Sequence, residues 1–151
     1  MYCGVPPTAG RGVWYNALRV MADFARLLGE PPGRCEALAD KARAGIARFW
    51  NEEAGYCYDV LDGPEGNHPA LRPNRLFAVS LPHSPVTLEQ QKGVVDACAR
   101  RLRTSHGLRS LDPRHPGYKG HHGGGRRTRD AAYHYPLALL GVLCRAQCGG
   151  G

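Results

Sequence analysis

Two stretches near the start of the chain place apolar residues at helical spacing, and a short Gly-Pro segment separates them. Trp14, Leu18, Met21, Ala25 and Leu28 recur every three or four positions, as do Cys35, Leu38, Ala42, Ile46 and Phe49. Such spacing gathers each set on one face of a helix. The pattern predicts helices over about Trp14–Leu28 and Arg34–Trp50. Between them Gly29 and Pro31-Pro32 stop the first helix and turn the chain. Two amphipathic helices joined by so short a turn must fold back as an antiparallel hairpin.

The rest of the chain follows the same plan with longer loops. Gly55 to Leu61 is short, aromatic and extended in character, and Asp62-Gly63-Pro64 turns it. A proline-rich loop runs to Pro73, and Asn74 to Leu81 reads as a short helix stopped by Pro82 and Pro85. A third long helix begins at Thr87, which with Gln90 forms a capping box. Its apolar face is Val94 or Val95, Cys98 and Leu102. Ser105 to Arg129 is a long loop with six glycines, of the kind that is usually functional or disordered. A last apolar helix is expected over about Ala131–Cys144, before the tail Gly149-Gly150-Gly151.

Composition narrows the function. The 151 residues suit one domain, and a 42% apolar content supplies a core. No run of eighteen apolar residues exists, so a membrane span is not expected. Met1 to Gly12 lacks the basic and apolar regions of a signal peptide, and the reading is a soluble, cytoplasmic chain. The net charge of +7 comes largely from arginine runs, Arg100-Arg101-Leu102-Arg103 and Arg126-Arg127-Thr128-Arg129. No aromatic-and-basic motif accompanies them, so they read as solvated surface and not as a nucleic-acid patch. Cys3, Cys35, Cys57, Cys98, Cys144 and Cys148 contain no CxxC pair and read as reduced thiols. His121-His122 is too tightly spaced for two ligands to converge on one ion, so neither metal nor cofactor is expected.

Several motifs, in order, carry a resemblance. They are Trp14-Tyr15-Asn16-Ala17-Leu18, Arg48-Phe49-Trp50-Asn51, Gly55-Tyr56-Cys57-Tyr58-Asp59-Val60 and Leu71-Arg72-Pro73-Asn74. Leu76 to Ser80, Thr104 to Leu111 and Arg129-Asp130-Ala131-Ala132-Tyr133-His134 complete the set. Together they resemble the C-terminal glucosidase domain of glycogen debranching enzymes, the amylo-alpha-1,6-glucosidase family, over roughly residues 13 to 134. The resemblance implies an all-α chain that is a fragment of an (α/α)6 toroid of antiparallel helical hairpins with long loops. It implies three parts: an unmatched segment 1–12, a partial glucosidase domain 13–134, and an unmatched helix and glycine tail 135–151. It implies hydrolysis, with inversion, of the α-1,6-linked glucose left at a trimmed branch point. The substrate is then glycogen or a branched α-glucan limit dextrin.

The chain departs from the family at four places. Arg75 stands where the family has glutamine, and the text becomes Tyr135-Pro136-Leu137 where the family has glutamine-glycine-threonine. Met1 to Gly12 replaces a longer approach strand. The family's general acid and general base fall outside the matched region, upstream and downstream. A shifted frame or a partial gene would account for the unfamiliar text at both ends. A half toroid also exposes the faces its missing helices would cover, so self-association is expected.

The residue types say what could touch a sugar. Inverting hydrolysis needs two carboxyls about 6.5–9.5 Å apart, one of them protonated. The loop acids are Asp59, Asp62, Asp112 and Asp130. Asp62-Gly63 and Asp112-Pro113 read as turns. Asp130 follows three arginines and suits accepting a hydroxyl or orienting an arginine, not donating a proton. Arg72 and Asn74 offer planar partners for vicinal hydroxyls. Tyr133 and His134 pair a flat ring with a polar edge, which suits stacking on a pyranose. Tyr15 and Asn16 are placed on the polar side of the first helix as further candidates, whereas Trp14 and Trp50 read as core. Arg72, Asn74, Asp130, Tyr133, His134, Tyr15 and Asn16 are thus the substrate-binding candidates, with no catalytic residue among them. The alternative is a non-catalytic carbohydrate-binding or scaffold module.

Overall fold

A computed structural model of the chain describes residues 8–118 and 120. About half of these residues are helical, and short antiparallel strands fill part of the remainder. The expected helix over about Ala131–Cys144, the glycine tail and the His121-His122 pair lie outside the described residues. So do Cys3, Cys144 and Cys148.

Helix α1 spans Thr8–Leu27 and α2 spans Gly33–Ala47. The first therefore starts about six residues before the expected Trp14. Gly29 ends it at φ 74°, with the Glu30 N–H bonded to the Ala25 carbonyl and the Gly29 N–H to that of Arg26. This double closure needs a left-handed residue, which glycine supplies without strain. The two helices are antiparallel. Tyr15 and Leu18, early in α1, pack with Ile46 and Ala39 of α2, and Arg26 near the end of α1 pairs with Glu36 at the start of α2.

The face of α1 that is buried differs from the expected one. Tyr15, Leu18 and Ala22 are buried, whereas Trp14 is 56% exposed, Met21 54% and Leu28 77%. Val13, Phe24 and Leu27 share that exposure. The helix is apolar on two sides, and only one side meets α2. Trp14 is therefore corrected from core to surface among the described residues. Of the set expected on the second helix, Ile46 and, just past the end of α2, Phe49 are buried, but Leu38 is 39% exposed and Ala39, outside that set, is buried in its place.

Two β-ribbons follow, so the all-helical expectation needs a correction. Strand β1, Trp50–Asn51, pairs with β2, Tyr56–Cys57. Strand β3, Val60–Gly63, pairs with β4, Gly66–His68, through a bulged register. Aromatic and β-branched residues punctuated by glycine and proline favour such ribbons over a continued helix. Asp62 adopts φ 53° and its N–H is held by Asn67 Oδ1 at 3.1 Å, in keeping with its expected turn role.

A 3-10 turn, Pro73–Leu76, runs into the four-residue helix α3, Phe77–Ser80. Gly12 lets α1 touch α3 directly: a Cβ there would lie 2.7 Å from the Ala78 Cβ. Helix α4, Leu88–Leu102, has the expected capping box, with Gln90 N–H on Thr87 Oγ1 at 3.2 Å and Thr87 N–H on Gln90 Oε1 at 3.1 Å. Its buried side, Val94, Val95, Ala97, Cys98 and Leu102, meets Tyr56, Leu71, Leu76 and Val79 in the largest core cluster. Leu76 and Leu102 are fully buried, and such side chains each contribute about 1.5–3 kcal/mol. No helix among the described residues is long and apolar enough to cross a membrane.

Candidate functional site

The loop between β4 and α3 brings polar groups onto one end of this core. Arg72 precedes Pro73, which forces it to be extended, at φ −129° and ψ 151°. That conformation turns its Nε onto Asp59 Oδ2 at 3.1 Å. Asp59 lies between β2 and β3, fixed by its own N–H on the His68 carbonyl at 2.8 Å. On its other side Arg75 Nη2 stands 4.0 Å from Asp59 Oδ1. One carboxylate thus faces two guanidiniums.

Arg75 is the most buried charged residue described, at 1% exposure. Its Nε donates to the Cys57 carbonyl at 2.7 Å, and its guanidinium lies 5.3 Å from the centre of the Tyr56 ring. Nη1 and Nη2 are buried with no hydrogen-bond partner. Burial pulls its pKa below the usual arginine range, against the opposing pull of Asp59. Burial likewise pushes the Cys57 and Cys98 thiols up, to about 11 and about 12. Both thiols are free and buried, which suits cysteines acting as small hydrophobes.

Arg101, from α4, reaches the same aromatic ring. Its guanidinium lies 5.7 Å from the Tyr56 centre, its Nη1 donates to Tyr56 Oη at 3.3 Å, and it stands 3.6 Å from Asp112 Oδ2. The arginine run around it is therefore not uniformly solvated surface. Asp112 is buried, and it joins the 3-10 loop to the Asp112–Tyr118 turn through its N–H on the Leu71 carbonyl at 3.1 Å. Its Oδ1 caps the Arg114 N–H at 2.9 Å, the turn chemistry read from Asp112-Pro113. His115, in that turn, lies 5.4 Å from His68, ring centre to ring centre.

The sequence candidates fare differently. Arg72 and Asn74 come together on one loop, and Asn74 Oδ1 is buried without a hydrogen-bond partner. Tyr15 is not on a polar face: it is 7% exposed in the core between α1 and α2, because the helix buries a side rotated from the expected one. Asn16 Oδ1 accepts the His83 N–H at 3.1 Å and so braces the segment after α3. Asp130, Tyr133 and His134 lie outside the described residues. Sequence reasoning missed His68, Arg75, Arg101 and His115 as members of this cluster. For the two histidines the sequence offers a repeated dipeptide, His68-Pro69 and His115-Pro116, in which proline disfavours a helical histidine.

Asp59, Asp62 and Asp112 each sit against an arginine: Arg72, Arg48 and Arg101 respectively. Such carboxylates serve as acceptors and organisers. The sequence profile of the amylo-alpha-1,6-glucosidase family matches residues 7–140. The chain belongs to that family. Among curated proteins none matches it. The glucosidase-family match takes in every described helix and strand, the Arg72–Asn74 loop and the Asp112–Tyr118 turn.

Proposed function

We propose that this chain supplies scaffold and sugar-contacting loops of a glycogen-debranching glucosidase domain that cleaves α-1,6-linked glucose with inversion. The observation that carries the reading is the Arg72–Asn74 loop. Asp59 orders the Arg72 guanidinium, and on the same loop the Asn74 Oδ1 is buried without a hydrogen-bond partner. A glucose hydroxyl, which both donates and accepts, satisfies such a pair. Asp130, Tyr133 and His134, which lie outside the described residues, are given a part in sugar contact by the same reading, and the substrate is a branched α-glucan limit dextrin in the cytoplasm.

In this reading the general acid and general base come from other parts of a complete domain. Each is typically worth about 10²–10⁴-fold in rate, so the chain alone releases no measurable glucose. The outer side of α1, with Trp14, Met21, Phe24 and Leu28 exposed, is where neighbouring helices of the toroid pack. Without them the chain self-associates through that side.

Complementation tests the proposal. The chain is co-expressed with the upstream and downstream parts of a related glucosidase domain, and glucose release from limit dextrin is measured. Release by the combination and none by either part supports the reading. Glucan binding without release from the combination would replace it with a non-catalytic carbohydrate-binding or scaffold module.

A further inference from the structure

The two imidazoles beside the Arg72–Asp59 pair form a contact that neither the core nor the proposed sugar contacts explain. His68 ends β4, and His115 sits in the Asp112–Tyr118 turn, their planes tilted by 53° at 5.4 Å. His115 organises its turn through three bonds. Its N–H donates to the Asp112 carbonyl at 2.9 Å, its carbonyl accepts the Tyr118 N–H at 2.9 Å, and its Nδ1 accepts the Gly117 N–H at 3.0 Å. A ring nitrogen that accepts carries no proton, so this ring is neutral with its hydrogen on Nε2. Protonating it would set a ring N–H against a backbone N–H.

We propose that the His68–His115 pair is a pH-operated latch. With the His115 ring neutral, the Asp112–Tyr118 turn is closed on β4 and on the end of the core that carries Arg72. With His115 protonated, the turn opens and loosens the Asp112 contacts to Leu71 and Arg101. The latch stands on this geometry and does not depend on sugar binding.

The surroundings favour the neutral ring. Among the described residues, His68 faces His115 from β4 and Arg72 faces it from the loop before the 3-10 turn. Asp112 of its own turn and Asp59 from the β2–β3 link oppose them, and Arg101 of α4 is engaged by Asp112. Burial is the largest influence, then His68, then Arg72, and the balance holds the pKa below the usual histidine value. A base with a lowered native pKa contributes stability above its unfolded value of about 6.5 and loses it as pH falls further. The latch is therefore closed at neutral pH and opens under acid conditions.

Hydrogen exchange of the full chain, read by mass spectrometry at pH 7.5 and 5.0 and corrected for intrinsic exchange, tests this. Protection of the Asp112, His115, Gly117 and Tyr118 amides should fall about tenfold or more at the lower pH, while Cys98 and Leu102 in α4 keep theirs. His115→Asn retains an acceptor oxygen and cannot titrate, so its turn should stay protected at both values. His68→Asn removes a competing imidazole and should move the loss of protection to higher pH. Equal protection of the native turn at both values would overturn the latch. The same acid loss in His115→Asn, or an unmoved midpoint in His68→Asn, would also do so.

Discussion

Helices α1 and α4 were read by the same rule and met different outcomes. In α4 the expected face, Val94 or Val95 with Cys98 and Leu102, is buried against Leu71, Leu76 and Val79, and both valines join it. In α1 the periodic set Trp14, Leu18, Met21, Ala25 and Leu28 divides: Leu18 is buried, but Trp14, Met21 and Leu28 are exposed, and the core also takes Tyr15 and Ala22. The difference lies in how many apolar sides each helix has. Glu89, Gln90, Gln91, Lys92, Asp96, Arg100 and Arg101 leave α4 only one continuous apolar side to turn inward. On α1 two apolar stripes run side by side, and spacing alone does not say which one α2 will cover. A helix apolar on two sides fits a fold in which it has neighbours on two sides.

That contrast can be broken by substitution. Leu102→Ala should cost about 2–5 kcal/mol, because a fully buried leucine leaves a cavity among Leu71, Leu76 and Cys98. Met21→Ala should cost no more than about 0.5 kcal/mol. Urea unfolding of the two variants decides the matter; equal losses would mean that the outer side of α1 lies in a core after all. Gly12→Ala comes next, at about 1–3 kcal/mol, since its Cβ would overlap Ala78. Thr87→Ala, which removes one bond of the α4 capping box, should cost about 1 kcal/mol. The smallest change in stability is expected from Met21→Ser combined with Phe24→Ser. Its effect appears in light scattering instead, as weaker self-association, and unchanged association would point to a different surface.

Much of the fold was legible because its signals are local. Thr87 and Gln90 are three residues apart and cap one helix. Gly29 and the prolines after it turn one hairpin, and Asp62 and Asp112 each bend their own loop. What stayed hidden depends on partners far apart in sequence. Arg101 reads as one of several surface arginines until Tyr56 and Asp112 are brought to it. Arg75 reads as a departure from the family's glutamine, and only packing reveals its bond to the Cys57 carbonyl. A glutamine Nε2 could make that same bond without burying two unpaired donors. Of the candidate site, Arg72 and Asn74 are named by the motif around Pro73, and the structure adds the bond from Arg72 to Asp59. Tyr15 was not, since its place depended on which stripe of α1 turned inward.

The central claim is that the Arg72–Asn74 loop touches the sugar whose bond is cleaved. The most direct test is Asn74→Ala within a complete, active glucosidase domain, with glucose release from limit dextrin and urea stability measured on the same preparation. Loss of a buried partner for a substrate hydroxyl should remove about 1–3 kcal/mol of transition-state binding. The account predicts that glucose release falls by that amount while the unfolding midpoint moves far less. Unchanged turnover, or a turnover loss no larger than the loss of folded protein, would contradict it.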